Sequence, residues 1–342
     1  MQRRFYSGGK KMNKRTMKKG LAIVLALVMV FAMATTAFAV SGIPGNNGQY
    51  LEGTAIPPDS TNAACSAYAV TTPATSTNAK VTLIVEAGDA FEGYEIQENS
   101  AFREVITVNL TATSAQNFTV ENVLKAAEQG NSGISFSIKQ TASGPYLESV
   151  EHGNSTWEKG QIGFDGWVFR VNDKFPVVAT TDGVGYQGTS IGNTYVKDGD
   201  VVHFFYDFPS QPETSIPSLA ANYIRGTLTS WTASSLTVQM QGHKTDIQAT
   251  SPYIMSVNNY ENIGMGISVK LYSIDASGAL TLVATGTTNT NGQVVFSGSF
   301  SAGTKYIVQT ESEKYTMTDP NWSDWVNGVY FTRTGAYSKI EL

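Results

Sequence analysis

Phe118-Thr119-Val120-Glu121-Asn122-Val123-Leu124-Lys125-Ala126-Ala127-Glu128-Gln129-Gly130 is the stretch on which the fold turns. Thr119 is a good helix N-cap, and Phe118 and Val123 occupy the two positions of a hydrophobic staple. Val120, Val123, Leu124 and Ala127 recur at helical spacing, Glu121 suits the positive end, and Gly130 supplies the stop. Outward from this helix the period changes to two. Residues 81–85 and 105–110 before it alternate apolar and polar side chains, as half-buried strands do. Further strands are expected at 134–139, 146–150, 167–171 and 201–208 after it. One helix among several strands predicts an α+β domain over 81–208, with the helix lying across a mixed sheet.

A second linker follows at 209–218, around Ser210-Gln211-Pro212-Glu213-Thr214-Ser215-Ile216-Pro217. Strand signals then return without a helix, at 223–228, 235–240, 267–272, 280–286, 293–296 and 306–311. Turn signals separate them at Asp275-Ala276-Ser277-Gly278 and Asn289-Thr290-Asn291-Gly292. Short strands spaced by such turns predict a β-sandwich over 219–342. The fold class is therefore mainly β: an α+β domain followed by a sandwich.

The first 39 residues read as an address. Eight basic residues precede and flank an apolar run of 14 at positions 21–34, and Ala37-Phe38-Ala39 fits a signal-peptidase site. The run is shorter than the ~20 residues a spanning helix needs, so 1–39 is expected to be a cleaved signal peptide. Met12–Ala39 is by itself a complete signal, which leaves Met1 and Met12 both open as the start. The expected product is secreted, and cell-surface or extracellular. Removing the eight basic residues takes the formal net charge from −5 to −13. An acidic body repels phosphate backbones, and this disfavours a nucleic-acid partner.

Residues 40–80 read as a Ser/Thr/Pro-rich linker: nine of the 24 residues from Thr54 to Thr77 are Ser or Thr, with three prolines between them. The lone cysteine, Cys65, falls in this stretch, away from any pocket that would activate a thiol. His152, His203 and His243 make no metal-ligand spacing, and no nucleophile elbow, P-loop or dinucleotide fingerprint occurs. Asp198-Gly199-Asp200 reads as a hairpin turn rather than a calcium loop, which needs six to eight oxygens. No enzyme activity, cofactor or metal site is expected.

Four pieces resemble, in order, the transcobalamin-like C-terminal domain family: Leu124-Lys125-Ala126-Ala127, Ser143-Gly144-Pro145-Tyr146-Leu147-Glu148-Ser149-Val150, Gly166-Trp167-Val168-Phe169-Arg170-Val171-Asn172 and Tyr195-Val196-Lys197-Asp198-Gly199-Asp200-Val201-Val202. The resemblance implies a β-grasp-like fold over 81–208, in the version carried by bacterial surface proteins. In cobalamin carriers this domain covers the ligand, but the carriers' large helical domain has no counterpart here. The 175–195 stretch, rich in Gly and Thr, resembles an insertion. Residues 269–306 resemble the prealbumin-like and collagen-adhesin B-type Ig-like repeats, which usually act as spacers.

These readings give two functional expectations. The first is a non-enzymatic structural or adhesive role, with other cell-surface proteins or glycans as partners. The second is a small-molecule binding module, for which a corrinoid (cobalamin) is the most nameable ligand. Its candidate binding residues are Tyr146, Trp157, Trp167, Phe169 and Tyr195. On a strand, Trp167, Phe169 and Val171 share one face, and the apolar set is expected to meet the helix.

Overall fold

The computed structural model describes residues 66–88, 101–130, 133–142, 144–159, 166–179, 186–207, 223–243, 260–264, 266–275, 278–316 and 330–342. The expected signal peptide, Cys65 and the 209–218 linker lie outside these residues. The described chain is mainly β, with one helix.

The N-terminal module begins with β1 (Tyr68–Val70), β2 (Thr75–Ala87) and β3 (Phe102–Thr119), followed by α1 (Val120–Gly130). Then come β4 (Ile134–Lys139), β5 (Tyr146–His152), β6 (Ser155–Glu158) and β7 (Gly166–Val171). The module closes with β8 (Phe175–Ala179), β9 (Tyr186–Gly188), β10 (Tyr195–Val196) and β11 (Val201–Asp207). Five strands form a mixed sheet in the order β10-β3-β2-β11-β7, with β11 parallel to β2 and the other pairs antiparallel. The strands β4-β5-β6 and β1-β8-β9 make two smaller sheets.

The helix ends as its sequence predicts. Asn122 N–H donates to Thr119 Oγ1 at 3.4 Å, and Thr119 N–H donates to Asn122 Oδ1 at 2.9 Å, a reciprocal cap. The next free amides donate to the chain before β10: Val120 N–H to Thr194 O and Glu121 N–H to Ile191 O, each at 3.0 Å. Val120, Val123, Leu124 and Ala127 are buried against Leu83, Val85, Val202 and Phe204 of the sheet. Burying each branched side chain contributes about 1.5–3 kcal/mol, so tertiary packing rather than intrinsic propensity fixes this short helix.

The C-terminal module comprises β12 (Tyr223–Thr232), β13 (Ser235–His243), β14 (Glu261–Asn262), β15 (Ser268–Ile274) and β16 (Leu280–Thr287). It continues with β17 (Gln293–Ser297), β18 (Lys305–Gln309), β19 (Glu313–Thr316), β20 (Tyr330–Arg333) and β21 (Tyr337–Glu341). β13 pairs with β12 on one side and with β14 and β17 on the other; a second sheet runs β16-β15-β18-β21. Leu236, Val238 and Met240 of the first meet Val269, Leu271 and Val308 of the second in one core. The Asn289–Gly292 turn forms where expected. Gly292 takes a φ of 73° there, and Asn289 Oδ1 accepts from the amides of Asn291 and Gln293.

Two expectations need correction. Residues 66–80, assigned by composition to a linker, contain β1 and the start of β2, and Ala67 and Tyr68 are buried. Thr and Ser serve exposed strand positions as well as stalks, so the composition did not distinguish them. The Lys197–Asp200 segment is a turn, with Asp200 N–H donating to Lys197 O at 3.2 Å and Gly199 at a φ of 80°. It is not a hairpin, because β10 lies on an edge of the sheet and β11 in its middle.

The decisive feature is the second face of the five-stranded sheet. Leu83 and Val85 point to α1, whereas Ile84 and Glu86 point the other way; Val202 and Phe204 alternate likewise with Val201, His203 and Phe205. The C-terminal module covers that second face along β2 and β11, where Ile84 and Val201 pack on Ile307 and Tyr337, while Val105 of β3 stays exposed.

Candidate functional site

The five aromatic candidates do not converge. Trp157 is buried and Trp167 half-buried at one end of the sheet, where they cluster with Phe102 and Tyr206. The Trp167 indole donates to Trp157 O at 2.9 Å, while the indole N–H of Trp157 has no partner. His152 stacks on Phe102 at 4.4 Å and meets Glu104 at 3.0 Å. Phe169 turns into the main core and stacks on Phe204 at 5.1 Å, as its strand parity predicts. Tyr146 lies on β5 beneath the Lys159 ammonium, 4.8 Å from the ring centroid. Tyr195 pairs with Thr119 beside the start of β2, whereas Trp167 stands level with its end. These two are at opposite ends of the sheet.

A second constellation, absent from the sequence reading, lies where the modules meet. β7 and β8 are joined by Asn172-Asp173, both in the left-handed region with φ of 50° and 63°, and Val171 and Lys174 exchange two backbone hydrogen bonds. This two-residue turn suits Asn and Asp, so Asn172-Asp173 between apolar runs was its available signal. Asn172 Nδ2 donates to Asp200 Oδ1 at 2.8 Å, and Val201 N–H donates to Asn172 Oδ1 at 2.9 Å. The turn is thereby fixed to the Lys197–Asp200 turn. Asp173 is thus held under the C-terminal module, where the Tyr223 hydroxyl donates to its carboxylate at 2.6 Å and the Tyr260 hydroxyl donates to its carbonyl.

From Asp173 a buried chain of polar groups runs across the contact. Tyr223 OH lies 3.3 Å from His203 Nδ1, and His203 Nε2 lies 2.7 Å from Glu86 Oε1. The Tyr223 hydroxyl and the Glu86 carboxylate thus bracket the two imidazole nitrogens of His203. Ser312 donates to Glu86 Oε2 at 2.8 Å, and Arg103 Nε stands 3.5 Å from the same oxygen. Burial works to raise the Glu86 carboxyl, but the hydrogen bond and charge of His203, then Arg103 and Ser312, outweigh it and hold the group below its ordinary value. Asp173 goes the other way: burial raises it despite the Tyr223 hydrogen bond. Burial likewise pushes Tyr260 up to about 12 and Lys174 down to about 8.

Two arginines complete the contact. Arg170, fully buried, lies over the rings of Phe175, Phe205 and Tyr223, and its Nη2 donates to His243 Nδ1 at 3.1 Å. Arg225 covers the Tyr260 ring at 3.6 Å and donates to Ser66 O at 3.2 Å, so the chain before β1 is tied to both modules. Beside this contact Asn172, Asp173, Lys197, Asp200, Tyr337 and Lys339 line a cavity of about 270 Å³.

Among the described residues no group of three or more His, Cys, Asp or Glu side chains could hold a metal ion, and no helix is long and apolar enough to cross a membrane. No family model and no curated protein matches the chain.

Proposed function

We propose that the chain is a secreted or cell-surface protein with a structural or adhesive, non-enzymatic role. In this reading a β-grasp-like interaction module is joined to an Ig-like sandwich that acts as its spacer. The β-grasp part is supported by the order β3-β2-β11-β7, with β11 parallel to β2 and one helix across the sheet. The Ig-like part is supported by two sheets around one core.

One observation carries the structural role: α1 covers one face of the five-stranded sheet, and the sandwich covers the other along β2 and β11, leaving Val105 of β3 exposed. A spacer that transmits force gains from such a contact, and a ligand platform on that sheet would lose its surface to it. The cavity beside the contact is below the ~300–1,000 Å³ of ordinary small-molecule sites, and far below a corrinoid.

Corrinoid capture is the second reading, and it rests on the Phe102, Trp157, Trp167 and Tyr206 cluster with its unpartnered Trp157 indole. Calorimetric titration with cobalamin, paired with retention of beads coated with residues 40–342 on isolated envelopes of the native host, separates the readings. The structural role predicts retained beads and no heat. Micromolar cobalamin binding without retention overturns it.

A further inference from the structure

Each module has its own apolar core, but much of the contact between them is ionisable. We propose that this contact is an acid-operated latch, in which loss of charge on Glu86 releases the C-terminal module from the five-stranded sheet while each module stays folded.

Glu86 stands at the crossing point. Its own sheet presents His203 from β11 and Arg103 from β3, at 2.7 and 3.5 Å. The C-terminal module presents the Ser312 hydroxyl at 2.8 Å. Each of these leads further across. Gly335 N–H donates to Ser312 Oγ at 2.9 Å, and Arg103 Nη1 donates to Thr310 O at 3.1 Å. His203 continues to Tyr223 on β12. Three polar routes from β2, β3 and β11 to the second module thus start from groups that gather around one negative charge, beside the apolar contact of Ile84 and Val201.

With Glu86 neutral, the Arg103 guanidinium loses the anion it shares with the His203 imidazole in a largely buried contact. An uncompensated buried charge is costly, and separation of the modules rehydrates both. Asp173 stands on the far side of Tyr223, and burial raises its carboxyl where that of Glu86 is lowered. Among the described residues the apolar share of the contact lies in two small clusters, around Ile84 and around Tyr68, whereas the two module cores are much larger.

Small-angle scattering and far-UV circular dichroism of the exported chain between pH 7 and pH 3 read the two events separately. The expected result is a single-maximum distance distribution at pH 7 that gains a second maximum, reversibly, with a midpoint below pH 4.5, while the strand signal keeps its neutral-pH value. Glu86→Gln should show the second maximum already at pH 7. One joint transition in both signals, or a single maximum persisting to pH 3, overturns the latch, as does a compact Glu86→Gln chain at pH 7. If Glu86→Gln does not fold, the titration of the unaltered chain decides alone.

Discussion

The carboxylate of Glu86 and the imidazole of His203 meet at 2.7 Å across 117 residues of chain, and both side chains are almost completely buried. They sit on neighbouring parallel strands, where Phe204 of β11 pairs with Val85 of β2; those two turn to α1, and Glu86 and His203 beside them turn to the opposite face. That face meets the second module. The pair is thus fixed by the N-terminal sheet and completed by Ser312 and Tyr223 from outside it.

The first consequence is a pH dependence. In the folded chain Glu86 lies below its ordinary value of 4.5. Unfolding returns it to that value, so its contribution to stability is fully present above pH 4.5 and is lost as pH falls through the lower folded value. Glu86→Gln should cost roughly 3–5 kcal/mol at pH 7, because it removes the buried anion that Arg103 and His203 both face. Denaturant midpoints taken from pH 7 to 3 check this: the acid decline should be shallower in the variant, and an equal decline would assign it to other carboxylates.

Tyr68 tests the chain before β2. It is 1% exposed and packs edge-on against Phe175 and His243. Tyr68→Ala should lower stability by roughly 3–5 kcal/mol, the cost of emptying a large aromatic site. Thr72→Ala, at an exposed position, should stay within about 0.5 kcal/mol. Equal, small effects would restore the linker reading.

Phe169 and Trp167 should separate by burial. Phe169→Ala empties the main core and should cost roughly 3–5 kcal/mol. Trp167→Ala should cost less, since the side chain is half-exposed, while Trp167→Phe removes chiefly the hydrogen bond to Trp157 O, worth about 1 kcal/mol. Thermal melts of the three variants give the order directly.

The helix cap offers a smaller effect of known sign. Thr119→Ala removes the acceptor of the Asn122 amide and should cost about 1 kcal/mol. An unchanged unfolding midpoint would mean that water or another group replaces the cap at no cost.

What was legible in the sequence, and what was not, follows from the kinds of signal that each element carries. The helix carried its own cap, staple and apolar stripe, so its limits were readable from Phe118 to Gly130. The strands at 81–85 and 105–110 carried a period of two, and this marked them as half-buried. Nothing local marked the polar Glu86, Arg170 and His203 of the neighbouring positions as buried. They are buried because they satisfy one another and the second module, a tertiary fact without any period. β1, with three residues, was too short for periodicity to show, and β10, with two, was shorter still. Among the candidate residues, parity correctly put Phe169 in the core. No local pattern could tell that Tyr195 and Trp167 stand at opposite ends of the sheet.

The central claim is a protein that works outside the cell, and its location is measured most directly by surface biotinylation of intact cells of the native host, followed by mass spectrometry of the captured chain. The account predicts a biotinylated chain whose first residue is Val40. A chain that stays unlabelled in the cytosol and still begins at Met1 or Met12 would contradict it.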